Sequence, residues 1–407
     1  MGIRFIKNDG NDLNLSHKLL KRLDRIGRDS VNNFAKNFIK TETIPDFFTI
    51  EIETQNRCNN DCPFCPVNRN NDTRKPKVME ENLFYTIISQ LRDMDYHGTI
   101  SLFSNNEPLL DGRIFHFIEH AKKNLPQARH ALYTNGLLLD REKFSTLLAN
   151  LNLLIIDNYD DNFELIPPVR KILEAMPPPH DFKCDVQISL RKKNQKLNTR
   201  AGSAPNRINE PNKFRPLSPC ILPFTQMIIR PDGTAAKCCN DPLNKMTLGD
   251  LNHQTLREIW RGKPYQELRK EMYFNGRQNI PGCEFCDIFG LYNYLPPYAK
   301  PNEFKRLVEE ISCRKNFGKM YILDTSSWSK NLFEKFKICG VEFDGLIDIK
   351  GDADAENYKC VSFQQAVAER AFILVPSPYY NDELFDILHG AGYQYNKDYL
   401  IYPPELL

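Results

Sequence analysis

Apolar and polar residues along 47–190 fall into two alternating rhythms. Five short runs rich in β-branched and aromatic residues predict strands: FFTIEIET at 47–54, GTISLFS at 98–104, HALYTN at 130–135, NLLIID at 152–157 and DVQISL at 185–190. Between them, stretches such as 79–95 and 113–123 have the three- and four-residue spacing of helices. Repeated strand–helix units imply a parallel sheet, open or partly closed as a barrel, with ligands at the carboxyl ends of its strands. Residues 13–40 step their apolar positions by three and four with basic residues between, which predicts a helical lead-in within 1–46. Such a helix suits a membrane surface or, as preferred here, the flank of the following domain.

The rhythm breaks after 190. Residues 191–218 are polar, rich in Pro and Asn, and hold eight Lys/Arg against one acidic residue, so they predict a long loop. QMIIR and TAAKCC, joined by PDG, predict a strand pair, and 254–271 predicts a helix interrupted at Pro264. From about 319 a strand–helix order returns: KMYILDTSS, a helix near 329–338, GLIDI, a helix near 362–369, AFILVPS and a helix near 381–390. This order predicts a small doubly wound sheet. The expected domains are therefore a lead-in at 1–46, a β/α domain at 47–217, a small α+β domain at 218–300 and a doubly wound domain at 319–407.

A chain of 407 residues with 41% apolar residues buries full cores for two or three domains. Its net charge of +2 is too even to suggest nucleic acid or a membrane surface as the main partner. No run of 18 apolar residues and no signal peptide is visible, so a cytoplasmic location without a membrane span is expected. In a reducing compartment the twelve cysteines should stay thiols, and clustered ones should be metal ligands or catalytic. Cys184, Cys313, Cys339 and Cys360 stand alone, as small buried hydrophobes do.

The first set, Cys58, Cys62 and Cys65, directly follows the first expected strand. Three thiolates within eight residues fit three corners of a cubane cluster and leave one iron open for a ligand. A zinc site is the alternative, but it usually pairs C-x₂-C with a second such pair or with His, and no suitable His lies near. The second set, Cys220, Cys238, Cys283 and Cys286, is separated by 17, 44 and 2 residues and completes a closed four-cysteine site, for a cluster or for zinc.

The C-x₃-C-x₂-C spacing with Phe64 before the last cysteine resembles the radical SAM superfamily. Ser104-Asn-Asn-Glu107-Pro108 resembles that family's Gly-Gly-Glu-Pro segment with its glycines replaced, and Tyr133-Thr-Asn135-Gly136 resembles its T-N-G segment. The resemblance implies a partial (β/α)6 barrel, a four-iron cluster on Cys58, Cys62 and Cys65, and S-adenosylmethionine near Phe64, Glu107, Asn135, Ser189 and Arg191. Glu107 would meet the amino group of S-adenosylmethionine. Residues 218–300 resemble the SPASM/twitch extensions of such enzymes, in the short four-cysteine form of 2-deoxy-scyllo-inosamine dehydrogenases. This implies one auxiliary four-iron cluster on Cys220, Cys238, Cys283 and Cys286, with Cys239 able to exchange with Cys238.

The expected activity is hydrogen abstraction by a 5′-deoxyadenosyl radical from a hydroxylated metabolite, a sugar, sugar nucleotide or cyclitol. Dehydrogenation or epimerisation follows, as an oxidoreductase or an epimerase. Arg200 is the candidate substrate-binding catalytic residue and Cys239 a candidate hydrogen donor. Arg191, Arg200 and Arg207 would suit an anionic sugar derivative, although a solvated basic loop reads the same way. An external electron donor such as flavodoxin or ferredoxin is implied, and a homodimer is allowed. Modification of a ribosomal peptide is the rival within the class, and a zinc-held interaction protein the rival outside it. The last domain resembles Rossmann-like appendages. Its first turn, Asp324-Thr-Ser-Ser-Trp-Ser, lacks the glycines a dinucleotide needs, so a docking or dimerising role is expected rather than NAD binding.

Overall fold

The computed structural model describes residues 3–8, 43–175, 183–207, 219–288, 318–325, 327–349, 358–376, 382–394 and 397–402, with shorter pieces within 31–41 and 307–312. Most of the expected lead-in helix, the end of the basic loop, and Cys313 lie outside these residues. The chain divides into two compact units, 1–14 with 20–296 and 15–19 with 297–407.

In the first unit the strands are β1 (Ile3–Asn8), β2 (Thr49–Ile52), β3 (Thr99–Ser101), β4 (Arg129–Thr134), β5 (Leu153–Tyr159), β6 (Asp185–Arg191), β7 (Gln226–Ile229), β8 (Thr234–Ala236) and β9 (Thr247–Asp250). They form one sheet in the order β1-β6-β5-β4-β3-β2-β7-β8-β9. Every pair from β1 to β7 is parallel, and β7, β8 and β9 pair antiparallel. The fold is the mixed α/β class expected, with its parallel sheet.

Register separates the two faces. Ile50 pairs with Ile100, Ile100 with His130, and Leu132 with Leu154, while Ile156 pairs with Ile188; these side chains are buried. Four helices supply apolar stripes from the same β/α units: Glu81–Asp93, Ile114–Asn124, Arg141–Asn150 and Pro167–Glu174 bury Phe84 and Ile87, Phe117, Leu147, and Ile172. The alternate positions along the strands carry, besides Ala131, Leu153 and Ile155, a run of polar and aromatic residues: Glu51 and Ser101, then Tyr133, Asp157, Ser189 and Arg191. A parallel sheet covered by helices on both faces has apolar strands throughout. Here one face is polar, and function belongs there.

Two features depart from expectation. Ile3–Asn8 is a strand, placed parallel beside β6, where a helical lead-in was expected; IRFIKN has the β-branched and aromatic content strands prefer. The helix expected at 254–271 breaks at Gly262, with Pro264 in the first turn of the helix Lys263–Phe274. A Cβ at Gly262 would stand 2.6 Å from the Glu258 carbonyl oxygen, so the break needs glycine. The preceding helix, Leu256–Arg261, is opened by a capping box between Thr255 and Glu258.

The second unit holds β10 (Met320–Leu323), β11 (Gly345–Asp348), β12 (Cys360–Ser362), β13 (Phe372–Pro376) and β14 (Tyr399–Tyr402), all parallel, in the order β12-β11-β10-β13-β14. This is a doubly wound sheet, larger by two strands than the three the sequence pattern predicts. Apolar clusters cover its two faces, one around Ile322, Phe336 and Leu374 and the other around Tyr321, Ile347 and Ile373. The packing is demanding in the first unit too. Phe84 is fully buried and stacked on Phe117 with centroids 4.1 Å apart. Phe84→Ala should cost about 3–5 kcal/mol, read as a lower midpoint for the first transition in urea denaturation.

Candidate active site

The loop after β2 carries the first cysteines, and three strand-end loops hold it. Gln55 Nε2 donates to the Glu107 carbonyl at 2.7 Å, and the Glu107 amide donates to the Arg57 carbonyl at 2.8 Å. Asn68 Nδ2 donates to the carbonyls of Cys62 and Cys65, both at 2.9 Å, closing the turn that carries those residues. Lys193, just past β6, pairs with Asp61 at 2.6 Å. Cys58 and Cys65 are half-buried and Cys62 is buried. Burial, then the neighbouring Glu107 and Cys65, pushes the Cys58 thiol up to about 11. Burial raises the Cys62 thiol as well, so both stay protonated unless a cation joins them, which is the setting of a metal centre. Among the described residues no three His, Cys, Asp or Glu side chains converge on a single-ion site.

Glu107 organises the next loops. Its Oε1 accepts from Thr134 Oγ1 at 2.7 Å and from the Leu109 amide at 3.1 Å, and its Oε2 accepts from the Asn135 amide at 2.8 Å. With three of about four lone-pair positions used, one is left for an incoming N–H. Asn135 Nδ2 donates to Asn59 Oδ1 at 2.8 Å and lies 3.7 Å from Cys58 Sγ. The T-N-G segment thus touches a cysteine of the first set, a contact the sequence reading did not foresee. Ser189 and Arg191 both face Asp157: Arg191 Nη1 lies 3.7 Å from Asp157 Oδ1, and the Ser189 hydroxyl bonds the same carboxylate. Burial nevertheless raises the Asp157 pKa. Phe64 packs on Tyr159 with centroids 5.7 Å apart.

The second set converges as well. Cys220, Cys238, Cys283 and Cys286 line one pocket with Lys237 and Arg277. Lys237 is 1% exposed, pairs with Asp241 at 3.4 Å and donates to the Pro281 carbonyl. Four thiols beside two buried cations fit a closed anionic centre. Cys239 is not among the residues that line this pocket: after burial itself, the groups acting on its thiol are Glu51 and Arg200, then Cys220 of the pocket and Gln226. The structure therefore puts Cys238 on the pocket and Cys239 near the polar face of the sheet.

A buried carboxylate joins the two regions. Glu53, 0% exposed, takes Arg230 Nη1 at 2.9 Å on Oε2, and on Oε1 the Asn105 amide at 2.7 Å and Arg74 Nη1 at 3.5 Å. Arg230 also donates to the Asp241 carbonyl.

The basic loop is largely committed to protein. Arg207 pairs with Asp287 and donates to the Leu197 carbonyl, so it is a structural tie and not a substrate ligand. Thr199 binds the same segment, its amide donating to Asp287 Oδ1 at 2.8 Å. Arg200 (φ 48°), Ala201 (φ 51°) and Gly202 (φ 77°) are consecutive left-handed residues. Two of them are not glycine, a strain that the ties on either side sustain. This turn delivers Arg200 to Asn105, onto whose Oδ1 Nη2 donates.

Glu51, Tyr133, Asp157 and Lys237 were missed by sequence reading. The available signal was an acidic residue within each of two otherwise apolar strands, IEI and LLIID. Gln226 Nε2 donates to Glu51 Oε1 at 2.8 Å. Burial raises the Glu51 pKa to about 7; Glu53 adds to this, and Ser104, Arg200 and Arg230 oppose it.

Residues 52–178 match the model of the radical SAM superfamily, and 220–287 match SPASM, an iron-sulfur cluster-binding domain. These are domains that bind, respectively, a four-iron cluster with S-adenosylmethionine and auxiliary iron–sulfur clusters. The chain is 24% identical over 243 residues to the S-adenosyl-L-methionine-dependent 2-deoxy-scyllo-inosamine dehydrogenase of Niallia circulans, covering 59% of this chain and 93% of that protein. The solved structure of BtrN in complex with AdoMet and 2-DOIA superposes with a TM-score of 0.53 at 23% identity, over 62% of this chain and 98% of that one. BtrN in an open conformation gives 0.45 at 22% identity, over 60% and 94%. The likeness to the first of these shows the fold. Among the described residues no helix is long and apolar enough to cross a membrane.

A carboxyl whose pKa rises on folding adds stability below its unfolded value that is lost as pH climbs through the folded value. For Glu51 that window runs from 4.5 to about 7. The protein should therefore lose stability relative to Glu51→Gln across this window, by on the order of 3 kcal/mol at most. Thermal denaturation of both proteins at matched pH values measures the difference.

Proposed function

We propose that this radical SAM enzyme dehydrogenates a hydroxylated small molecule of the cyclitol or sugar class, using one auxiliary iron–sulfur site. Cys58, Cys62 and Cys65 would hold the first cluster, with Phe64, Glu107, Asn135, Ser189 and Arg191 around the S-adenosylmethionine. Bound there, the cluster and S-adenosylmethionine supply a 5′-deoxyadenosyl radical that takes hydrogen from carbon, beyond the reach of any side-chain base. Cys220, Cys238, Cys283 and Cys286 would hold the auxiliary cluster. The observation that carries the dehydrogenase reading is their pocket, where buried Lys237 and Arg277 favour extra negative charge and hence acceptance of an electron. The named activity of the relative from Niallia circulans supports the same reading. The first electron would come from a donor of the flavodoxin or ferredoxin type.

Epimerisation is the second reading, favoured by the placement of Cys239. Its thiol lies toward Glu51 and Arg200 rather than in the four-cysteine pocket, so it could return hydrogen to a substrate radical.

Anaerobic reconstitution should load about eight irons per chain and give reductant-dependent 5′-deoxyadenosine. Replacing Cys58, Cys62 and Cys65 by Ala should leave about four irons and abolish S-adenosylmethionine cleavage, whereas Cys238→Ala should cost the other four. Cys239→Ala should keep all of them. Bound zinc without S-adenosylmethionine cleavage would sink the proposal. In deuterated water, a ketone free of solvent deuterium marks dehydrogenation. An alcohol carrying one deuterium, lost in Cys239→Ala, marks epimerisation.

A further inference from the structure

Resting on the dehydrogenase reading, we infer that Glu51 is the group that accepts the hydroxyl proton of the substrate, at a subsite built with Gln226, Cys239, Asn105 and Arg200. The geometry begins with strand register. Glu51 pairs with Ser101 on β3 and Ile228 on β7, and Gln226 lies two residues before Ile228, so the Glu51 and Gln226 side chains share one face of the sheet. From Glu51 a chain of contacts leads to the basic loop. Gln226 Nε2 holds Glu51 Oε1 at 2.8 Å, and Gln226 Oε1 accepts from the Cys239 amide at 3.4 Å. Asn105 Nδ2 donates to the Cys239 carbonyl at 3.0 Å, and Arg200 donates to Asn105 Oδ1. Glu51 Oε2 is shielded from bulk water and makes no hydrogen bond of ordinary geometry, although the Ser104 hydroxyl lies beside the carboxylate. A buried carboxylate oxygen without a hydrogen-bond partner is costly and calls for a donor from outside the chain. A substrate hydroxyl is such a donor.

The neighbours fit the task less well. Arg200 and Arg230 carry guanidinium groups, which donate hydrogen bonds and do not accept them. Burial lifts the Tyr133 hydroxyl and the Cys239 thiol far above neutrality, so neither is a ready base. Glu53 is consumed by Arg230, Arg74 and the Asn105 amide. Glu51 alone of these combines an open acceptor atom with a pKa near neutrality, where a general base works best. The step balances as follows. Once hydrogen has left the carbinol carbon, the remaining O–H bond breaks and its proton passes to the Glu51 carboxylate. The carbonyl π bond then forms as the odd electron leaves to an acceptor of the iron–sulfur class.

The test uses reconstituted holoenzyme with 2-deoxy-scyllo-inosamine carrying deuterium at its carbinol carbons. Iron content and thermal midpoint confirm that Glu51→Gln and Glu51→Asp fold and load. Glu51→Gln should form tenfold or more less ketone per 5′-deoxyadenosine while deuterium still reaches 5′-deoxyadenosine, and Glu51→Asp should restore part of the ketone. In the wild type the ratio should rise with pH through about 7, and in Glu51→Gln it should be flat. An unchanged ratio in Glu51→Gln overturns the inference, and so does loss of deuterium transfer in that variant, which would make Glu51 a substrate-positioning residue. Absence of deuterated 5′-deoxyadenosine from the wild type itself removes the dehydrogenase reading, and the role of Glu51 with it.

Discussion

The Glu53 carboxylate is the point at which the first unit is tied together. It sits just past β2 with no solvent exposure, and it holds Arg230 from the end of β7, Arg74 from beyond the cysteine loop and the Asn105 amide from the loop after β3. A buried charge of this kind is stable only while its partners stay in place, and removing one leaves a charge that no solvent reaches. The cysteine loop and the SPASM segment are therefore fixed to one another through a single residue. The proposed division of labour between two metal sites needs that spacing held constant. The parallel pairing of β7 with β2 makes the same connection through the backbone, so side chain and main chain reinforce each other.

The grouping of the cysteines was legible because spacing encodes it. Three cysteines in eight residues stay together whatever the loop does, and the second set converges although 44 residues separate Cys238 from Cys283. Strand ends were legible too, since Glu107 and Asn135 were singled out as lying beyond β3 and β4, where the structure has them. Less accessible were elements whose identity depends on partners far along the chain. Ile3–Asn8 has six residues and no neighbouring β/α unit, and only β6, more than 170 residues away, makes it a strand. β12 and β14, of three and four residues, were not among the expected strands.

Single side chains were the hardest to assign. Arg200 and Arg207 look alike in a basic loop, yet Asp287 captures the second, and the first is turned to Asn105 by a left-handed backbone that no composition signals. Glu51 was visible as a residue but not as a function. Its meaning comes from Gln226, 175 residues later, and from a register that places both on one face. The expected direct contact of Glu107 with a bound amino group also looks different in its setting, because the carboxylate is already the clasp between two loops.

Cys238 and Cys239 are sequence neighbours that serve different compartments, one on the four-cysteine pocket and the other toward Glu51. β8 has ended at Ala236 and the chain turns here, the Asp241 amide donating to the Cys238 carbonyl at 3.1 Å, so a turn sets the two thiols on different surfaces. Evolution can retune either surface by substitution, one thiol at a time. Insertion or deletion of a single residue just upstream would instead displace both thiols at once. Length, as much as residue identity, is what the segment from Pro231 to Cys239 has to conserve.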